Sequence, residues 1–510
     1  RKIGKLVATR KIEISSNTIK NLEFLFDNLK EGDMIGFHYE SKLYYPIGWF
    51  IKFFLLPIFL YVIPSQAQDK LGYANSNYCP TSSIFLNPAS SADAWTMAQC
   101  NILGLNAFMH NNAAFLPAFY YLDLVRTPEQ VMPRYFKGNS DKYANALINT
   151  DALAFTFSKE HWGWGFFTRA RSYSQIRNIP KTLTDYAVAY ALSDNVVLNS
   201  EDAFNSLNLR ISTQTWAEMG VNAAYIISKN RKDLWQVGGN LRYLSGMHTS
   251  QFGFSVLMGN YNDTLLQVDN LNSNFAFQDQ PRWNYGEGMA LDAGIVFKRM
   301  LKTVNNYYPN STKFDCKHAD YKYKASLSLR DLGYIKYQPT MRAKLKGSGT
   351  YRLDRGEKLL KQQVIDSIMA LFYTDNYTTS LPLNMCAQFD WNTEQYVYIN
   401  ATAVINVMPF FFNGPQSYNM ISVTPRYERK NFEFAMPLRM FGWSMPQVGM
   451  AFRIRSFSLG LEDALPLIFH NDFQGGGIYF NLGISLFDNP ACKRNSWILN
   501  ACPDFIKKRL

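Results

Sequence analysis

Charge is scarce in this 510-residue chain: Asp, Glu, Lys and Arg make up 18% of it, against roughly 25% in an average soluble domain. Long apolar runs are scarce as well. The segment Phe53–Ile63 (FFLLPIFLYVI) is the one clear run, and it falls short of the ~20 residues a helical span needs. A polytopic helical membrane protein is therefore excluded. Cysteine is limited to positions 79, 100, 316, 386, 492 and 502, with no CxxC pair, which disfavours a structural metal site. HExxH, GxSxG and P-loop patterns are missing. His110, His161, His248, His318 and His470 fall in no active-site pattern. No enzyme is expected, and no catalytic, cofactor or metal residue is assigned.

What is present points to export. Lys52 precedes the apolar run, and Pro64-Ser65-Gln66-Ala67-Gln68 follows it. Small residues at Ser65 and Ala67 suit a signal-peptidase site, so 53–67 reads as a signal peptide within a 1–67 leader. The chain begins with Arg and its first Met is Met34. Residues 1–33 are thus expected not to be native, a short cytoplasmic extension being the alternative. No Cys follows the cleavage site, so a lipid anchor is not expected. Export permits disulfides, and proximity favours Cys79–Cys100 and Cys492–Cys502. Export also separates the chain, despite its net charge of +12, from nucleic acid.

The strongest signal is alternation with a period of two. Met219, Val221, Ala223 and Tyr225 oppose Glu218, Gly220 and Asn222. Trp235, Val237, Leu241 and Tyr243 oppose Gln236, Asn240 and Arg242. The same holds in 289–298, 322–330, 397–407 and 478–486. Runs of this length match tilted membrane strands, and strands in lipid must close into a barrel. The expected fold is all-β: a transmembrane antiparallel β-barrel of about 14 strands, or alternatively 16, with short helices in N-terminal and loop segments. It occupies 101–488, in a bacterial outer membrane and in contact with its lipid. Trp162, Trp164, Trp216, Trp235, Trp283, Trp391 and Trp443 lie near strand ends and read as interfacial girdles, with lumen packing as the alternative.

Residues 68–100 are polar and form a candidate plug. Helices are expected from Thr127-Pro128-Glu129-Gln130, over 182–192, and over 355–372 inside a basic 338–382 loop insertion. The tail 489–510 is basic, carries Cys492 and Cys502, and is a candidate docking element. Alternation assigns Glu218, Arg242, Asp292, Lys322, Lys324, Arg330, Glu433, Arg439 and Arg453 to the lumen. They form either a ligand path or a set of mutually paired charges that fills the interior.

Ile84-Phe85-Leu86-Asn87-Pro88-Ala89 resembles the Asn-Pro-Ala element near the mature N-terminus of FadL-like outer-membrane proteins. Trp216-Ala217-Glu218-Met219-Gly220, the Gly239–Gly246 segment, Ala290-Leu291-Asp292-Ala293-Gly294 and the Ser326–Gly333 segment are similar, in order and spacing, to an uncharacterised Bacteroidota outer-membrane barrel family known as a domain of unknown function. The resemblance implies a barrel of FadL-like build. It implies uptake of a small hydrophobic or amphipathic compound. The alternative is a non-transporting scaffold or shuttle with a protein partner in secretion or envelope assembly, as in a related type IX secretion barrel.

Overall fold

The computed structural model describes residues 70–119, 134–135, 141–180 and 207–487, apart from short intervals at 257, 263–264, 279–280, 306, 312–318, 353–372, 394–395, 409–412, 443–444 and 470. The leader and signal peptide, the three expected helices, Cys316, His318, Trp443, His470 and the 489–510 tail lie outside these residues.

Alternating sequence builds one antiparallel sheet of nineteen strands. It begins with Ala98–Asn111, which pairs on one side with Lys142–Lys159 and on the other with the last strand, Gly475–Phe487. That pairing closes the sheet into a ring of 16 strands. The remaining three, Met258–Asn262, Tyr373–Ser380 and Met445–Val448, each pair on one side only. Five of the nineteen strands continue another in line. For example, Leu265–Phe277 and Gly286–Met300 both lie between Asp233–Val256 and Tyr321–Arg352. Nineteen less five leaves 14 passes across the wall. Both counts expected from the sequence thus have a counterpart.

The faces fall as alternation requires. Met219, Val221, Leu241, Tyr243, Met289 and Leu291 point outward and are exposed, while Glu218, Asn222, Asn240, Arg242 and Asp292 are buried inside. Some strands are far longer than expected. Leu207–Asn230 and Asp233–Val256 have 24 residues each, and Tyr321–Arg352 has 32. Their upper parts leave the apolar band, so Asn208, Arg210 and Lys344 are exposed there. The 338–382 segment is accordingly not simply a loop. Wall strand runs through Arg352 and resumes at Tyr373.

The two ends of the barrel differ. One carries tight turns at 160–161, 231–232, 429–431 and 455–456, with left-handed residues at Glu160, Arg231 and Arg455. The same end also carries the 301–320 connection, and the other end carries most of the longer ones.

Candidate functional site

The lumen is occupied by the segment that precedes the first strand. It forms two single-turn helices, Leu71–Ala74 and Pro80–Ser83, then a 3₁₀ helix, Pro88–Asp93. A buried backbone needs partners, and side chains of the wall and of the 301–320 connection supply them. Asn240 Nδ2 donates to Ile84 O (3.1 Å), Ser328 Oγ to Leu86 O (2.6 Å) and Asn222 Nδ2 to Pro88 O (3.0 Å). Ser158 Oγ donates to Ala92 O at 3.2 Å, and Asn310 Nδ2 to Ala94 O at 3.0 Å.

Asn87 is the pivot. Its Oδ1 accepts from Ala89 N at 3.0 Å, capping the 3₁₀ helix. Its Nδ2 reaches wall carbonyls at Ile295 and Leu327, both at 3.1 Å. The chain comes this close because the wall lacks side chains there. A Cβ on Gly294 would sit 2.2 Å from Asn87 Oδ1, and one on Gly238 would sit 2.7 Å from Ala89 Cα. Gly294→Val is therefore expected to loosen the plug by about 1–3 kcal/mol. Faster hydrogen exchange at residues 84–93, with the wall strands unchanged, would show it.

Charged residues complete the filling as balanced clusters. In the first, Arg242 is fully buried and contacts three carboxylates: Glu218 at 3.0 Å, Asp331 at 2.9 Å and Asp292 at 2.5 Å. Arg171 holds Asp331 through two bonds, at 2.6 and 3.1 Å, and Arg169 pairs with Glu218. Three cations thus face three acids. The second cluster centres on Arg426, which grips Asp390 at 3.0 and 2.8 Å and Glu428 at 2.8 Å. Lys324 lies 3.3 Å from Asp390, and plug residue Asn77 donates its N–H to Glu428 at 2.8 Å. Arg453 pairs with Glu433 at 2.8 Å beneath the ring of Tyr78, and Arg439 pairs with Glu462. On the plug itself, Asp93 takes Lys298 Nζ and Tyr307 OH, both at 2.7 Å, and Lys70 pairs with Asp151.

Of the lumen residues read from the sequence, Glu218, Arg242, Asp292, Arg330, Glu433, Arg439 and Arg453 are buried. The Lys324 side chain is 17% exposed. Arg330 donates to Asn384 Oδ1 and to the plug carbonyl of Phe85. Lys322 is a correction. It is exposed, because a register shift opposite Arg299 and Met300 changes the facing at the start of its strand. Trp216 is also corrected, from girdle to lumen: it is fully buried and donates to Glu218. Asp331, Arg169, Arg171, Asp390, Arg426 and Glu428 are among the members not read from the sequence. A bulge between Leu291 and Ala293, with Asp331 left-handed at φ 63°, lets Arg330 and Asp331 both face inward. Strict alternation cannot express that.

The pairing Cys79–Cys100 is not formed; both thiols are free. Cys79 packs instead with Tyr73, Ala435, Ala451 and Tyr479, and burial pushes its thiol up to about 12. Thiolate is the reactive form. At pH 8, iodoacetamide is expected to modify folded Cys79 roughly a thousandfold more slowly than the unfolded chain.

A cavity of about 40 Å³ lies between plug and wall beside Asn75, Asn87, Lys298, Lys324 and Gln388. That is room for a few waters and far below the roughly 300 Å³ at which small-molecule pockets begin.

Among solved structures, the chain is similar to a Pseudomonas aeruginosa FadL homologue, with 10% identity over 82% of this chain and 98% of that one, at a TM-score of 0.38. It is similar to the toluene transporter TbuX of Ralstonia pickettii, with 6% identity over 79% and 92% at a TM-score of 0.35. A mutant of the monoaromatic hydrocarbon channel TodX gives 8% identity over 80% and 93% at a TM-score of 0.37. No curated protein matches. A family model covers residues 88–460, well over half of the sequence, and the chain belongs to that family, the family of unknown function DUF5723.

Proposed function

We propose that this protein is a bacterial outer-membrane β-barrel closed by its own N-terminal segment, serving as a non-conducting scaffold of the envelope. The membrane part of this reading is supported by the exposed outward band and by Trp162, Trp164, Trp235 and Trp391 at its short-turn edge. Apolar surface facing out and charge facing in is the arrangement of a strand barrel in lipid. The scaffold part is carried by one observation: the plug and the buried ion pairs around it occupy the lumen. Of the two roles the resemblance implies, this filling favours the scaffold over central passage. The purified protein in planar bilayers is expected to show no conductance and to retain no apolar ligand. Stoichiometric retention of a small hydrophobic compound, seen by native mass spectrometry, would overturn it.

One feature favours uptake as the second reading. Among the described residues, Met445–Val448 pairs on one side only. On its other side, the bonds Ala464 N to Val448 O and Gln447 Nε2 to Gly475 O, each 2.7 Å, stand in for a strand ladder. Such a seam could part sideways. Retention of an apolar compound whose release depends on Gln447 would favour this reading.

A further inference from the structure

Charge on the barrel is distributed unevenly between its ends. At the short-turn end, Arg231 and Lys232 share one turn, Arg429 and Lys430 a second, and Arg455 stands on a third, all exposed. Lys159, Lys302 and Lys322 are exposed beside them. No Asp or Glu among the described residues at this end is exposed. Asp233 is occupied by Arg299 at 2.6 Å, and Asp320 accepts Tyr398 OH at 3.0 Å. The long-loop end is mixed, with exposed Asp141, Asp375 and Asp472 among Arg134, Arg210 and Arg282.

The cations sit on turns fixed from inside. Buried Arg453 donates to the carbonyls of Arg429 (2.7 Å) and Lys430 (2.8 Å), and Arg455 N bonds Asn431 O at 2.8 Å. Val304 N and Met300 N bond the carbonyls of Arg231 (2.6 Å) and Lys232 (2.7 Å). Arg429 also adjoins outward aromatics. The Arg429 guanidinium lies 4.5 Å from the Tyr396 ring and 5.5 Å from that of Tyr427, and Tyr396 is 56% exposed. Aromatic rings of this kind settle at headgroup depth. The cations continue that belt by one step toward water, where lipid phosphates lie.

We infer that the short-turn rim is a binding surface for acidic glycerophospholipid headgroups, with Arg231, Lys232, Arg429, Lys430 and Arg455 as the phosphate-facing groups. This rests on the membrane reading above. Fixed turns lower the ordering cost of each contact, and among the described residues the exposed charges at this end are all basic, with Glu160 and Asp233 half-buried. The belt beneath them fits a lipid leaflet better than a soluble acidic protein.

The test uses the full chain in phosphatidylcholine vesicles containing brominated lipid, with tryptophan quenching as readout. Trp162 and Trp391, 60% and 47% exposed, lie at the rim. Brominated phosphatidylglycerol is expected to compete about fivefold better than brominated phosphatidylcholine, the factor that ~1 kcal/mol gives. Reversing the five cations to Glu, or neutralising them to Gln should the reversed protein not fold, is expected to remove the preference. Molar salt should do the same. Insertion with equal quenching by both lipids overturns the inference and leaves the membrane reading standing. A preference that survives both substitutions also overturns it. Soluble polyglutamate displacing the acidic lipid stoichiometrically would assign the rim to an acidic protein instead. Quenching by neither lipid overturns the membrane reading itself.

Discussion

Arg242→Leu is expected to cost about 3–5 kcal/mol of folding stability, the usual penalty for breaking a buried ion pair from one side. Arg242 is the one cation that touches all of Glu218, Asp292 and Asp331. Without it, three acids face Arg169 and Arg171, and one negative charge is left uncompensated in a buried site. Arg242→Lys should recover only part of the loss, since an ammonium cannot fork to three carboxylates as a guanidinium does. Coupling is the sharper signature. Asp292→Asn in the Arg242→Leu background removes the unpaired charge while keeping an acceptor for Asn240, whose Nδ2 reaches Asp292 Oδ2 at 2.9 Å. The double variant should be more stable than Arg242→Leu alone. Denaturant unfolding in detergent micelles measures all of these. A single-variant loss below about 1 kcal/mol would show that water reaches the cluster and screens it.

The barrel was legible because alternation is local. Glu218, Arg242 and Asp292 could each be placed inside from their own neighbours in sequence. Their partnership could not, since Arg171 and Asp331 lie 160 residues apart and meet only after the ring closes. Arg169 and Arg171 follow the alternation set by Trp162, Trp164 and Phe166, so a longer reading of that strand would have found them. Asp331 and Lys322 escaped for a different reason. Each lies at a register irregularity, where the period of two slips and the facing has to be observed. The plug was readable as a polar segment before the first strand. That it would fill the lumen, held by Asn87 against Gly294, was not readable, because the glycine's meaning is the space it leaves for a segment some two hundred residues away.

Deleting residues 70–97 is expected to give a conducting barrel. The wall does not depend on the plug for its ladder, since Ala98–Asn111 pairs directly with both Lys142–Lys159 and Gly475–Phe487. Removing the plug leaves Asn222, Asn240, Ser328 and Lys298 without the carbonyls they now bond. Losing a buried hydrogen-bond partner is costly, so water is expected to enter and replace the lost carbonyls. A wall of 14 passes stands between barrels filled by side chains and the 16- to 18-stranded porins that leave an aqueous channel. The variant should therefore give discrete current steps in planar bilayers where the intact protein is expected to give none. Asp93→Asn is the milder counterpart. It weakens the hold of Lys298 and Tyr307 on the plug, and should produce rare, brief openings. A deletion variant that inserts and stays silent would place the seal in the long connections instead. The Arg242 and Arg426 clusters would then be packing alone, because they would line no path that ever opens.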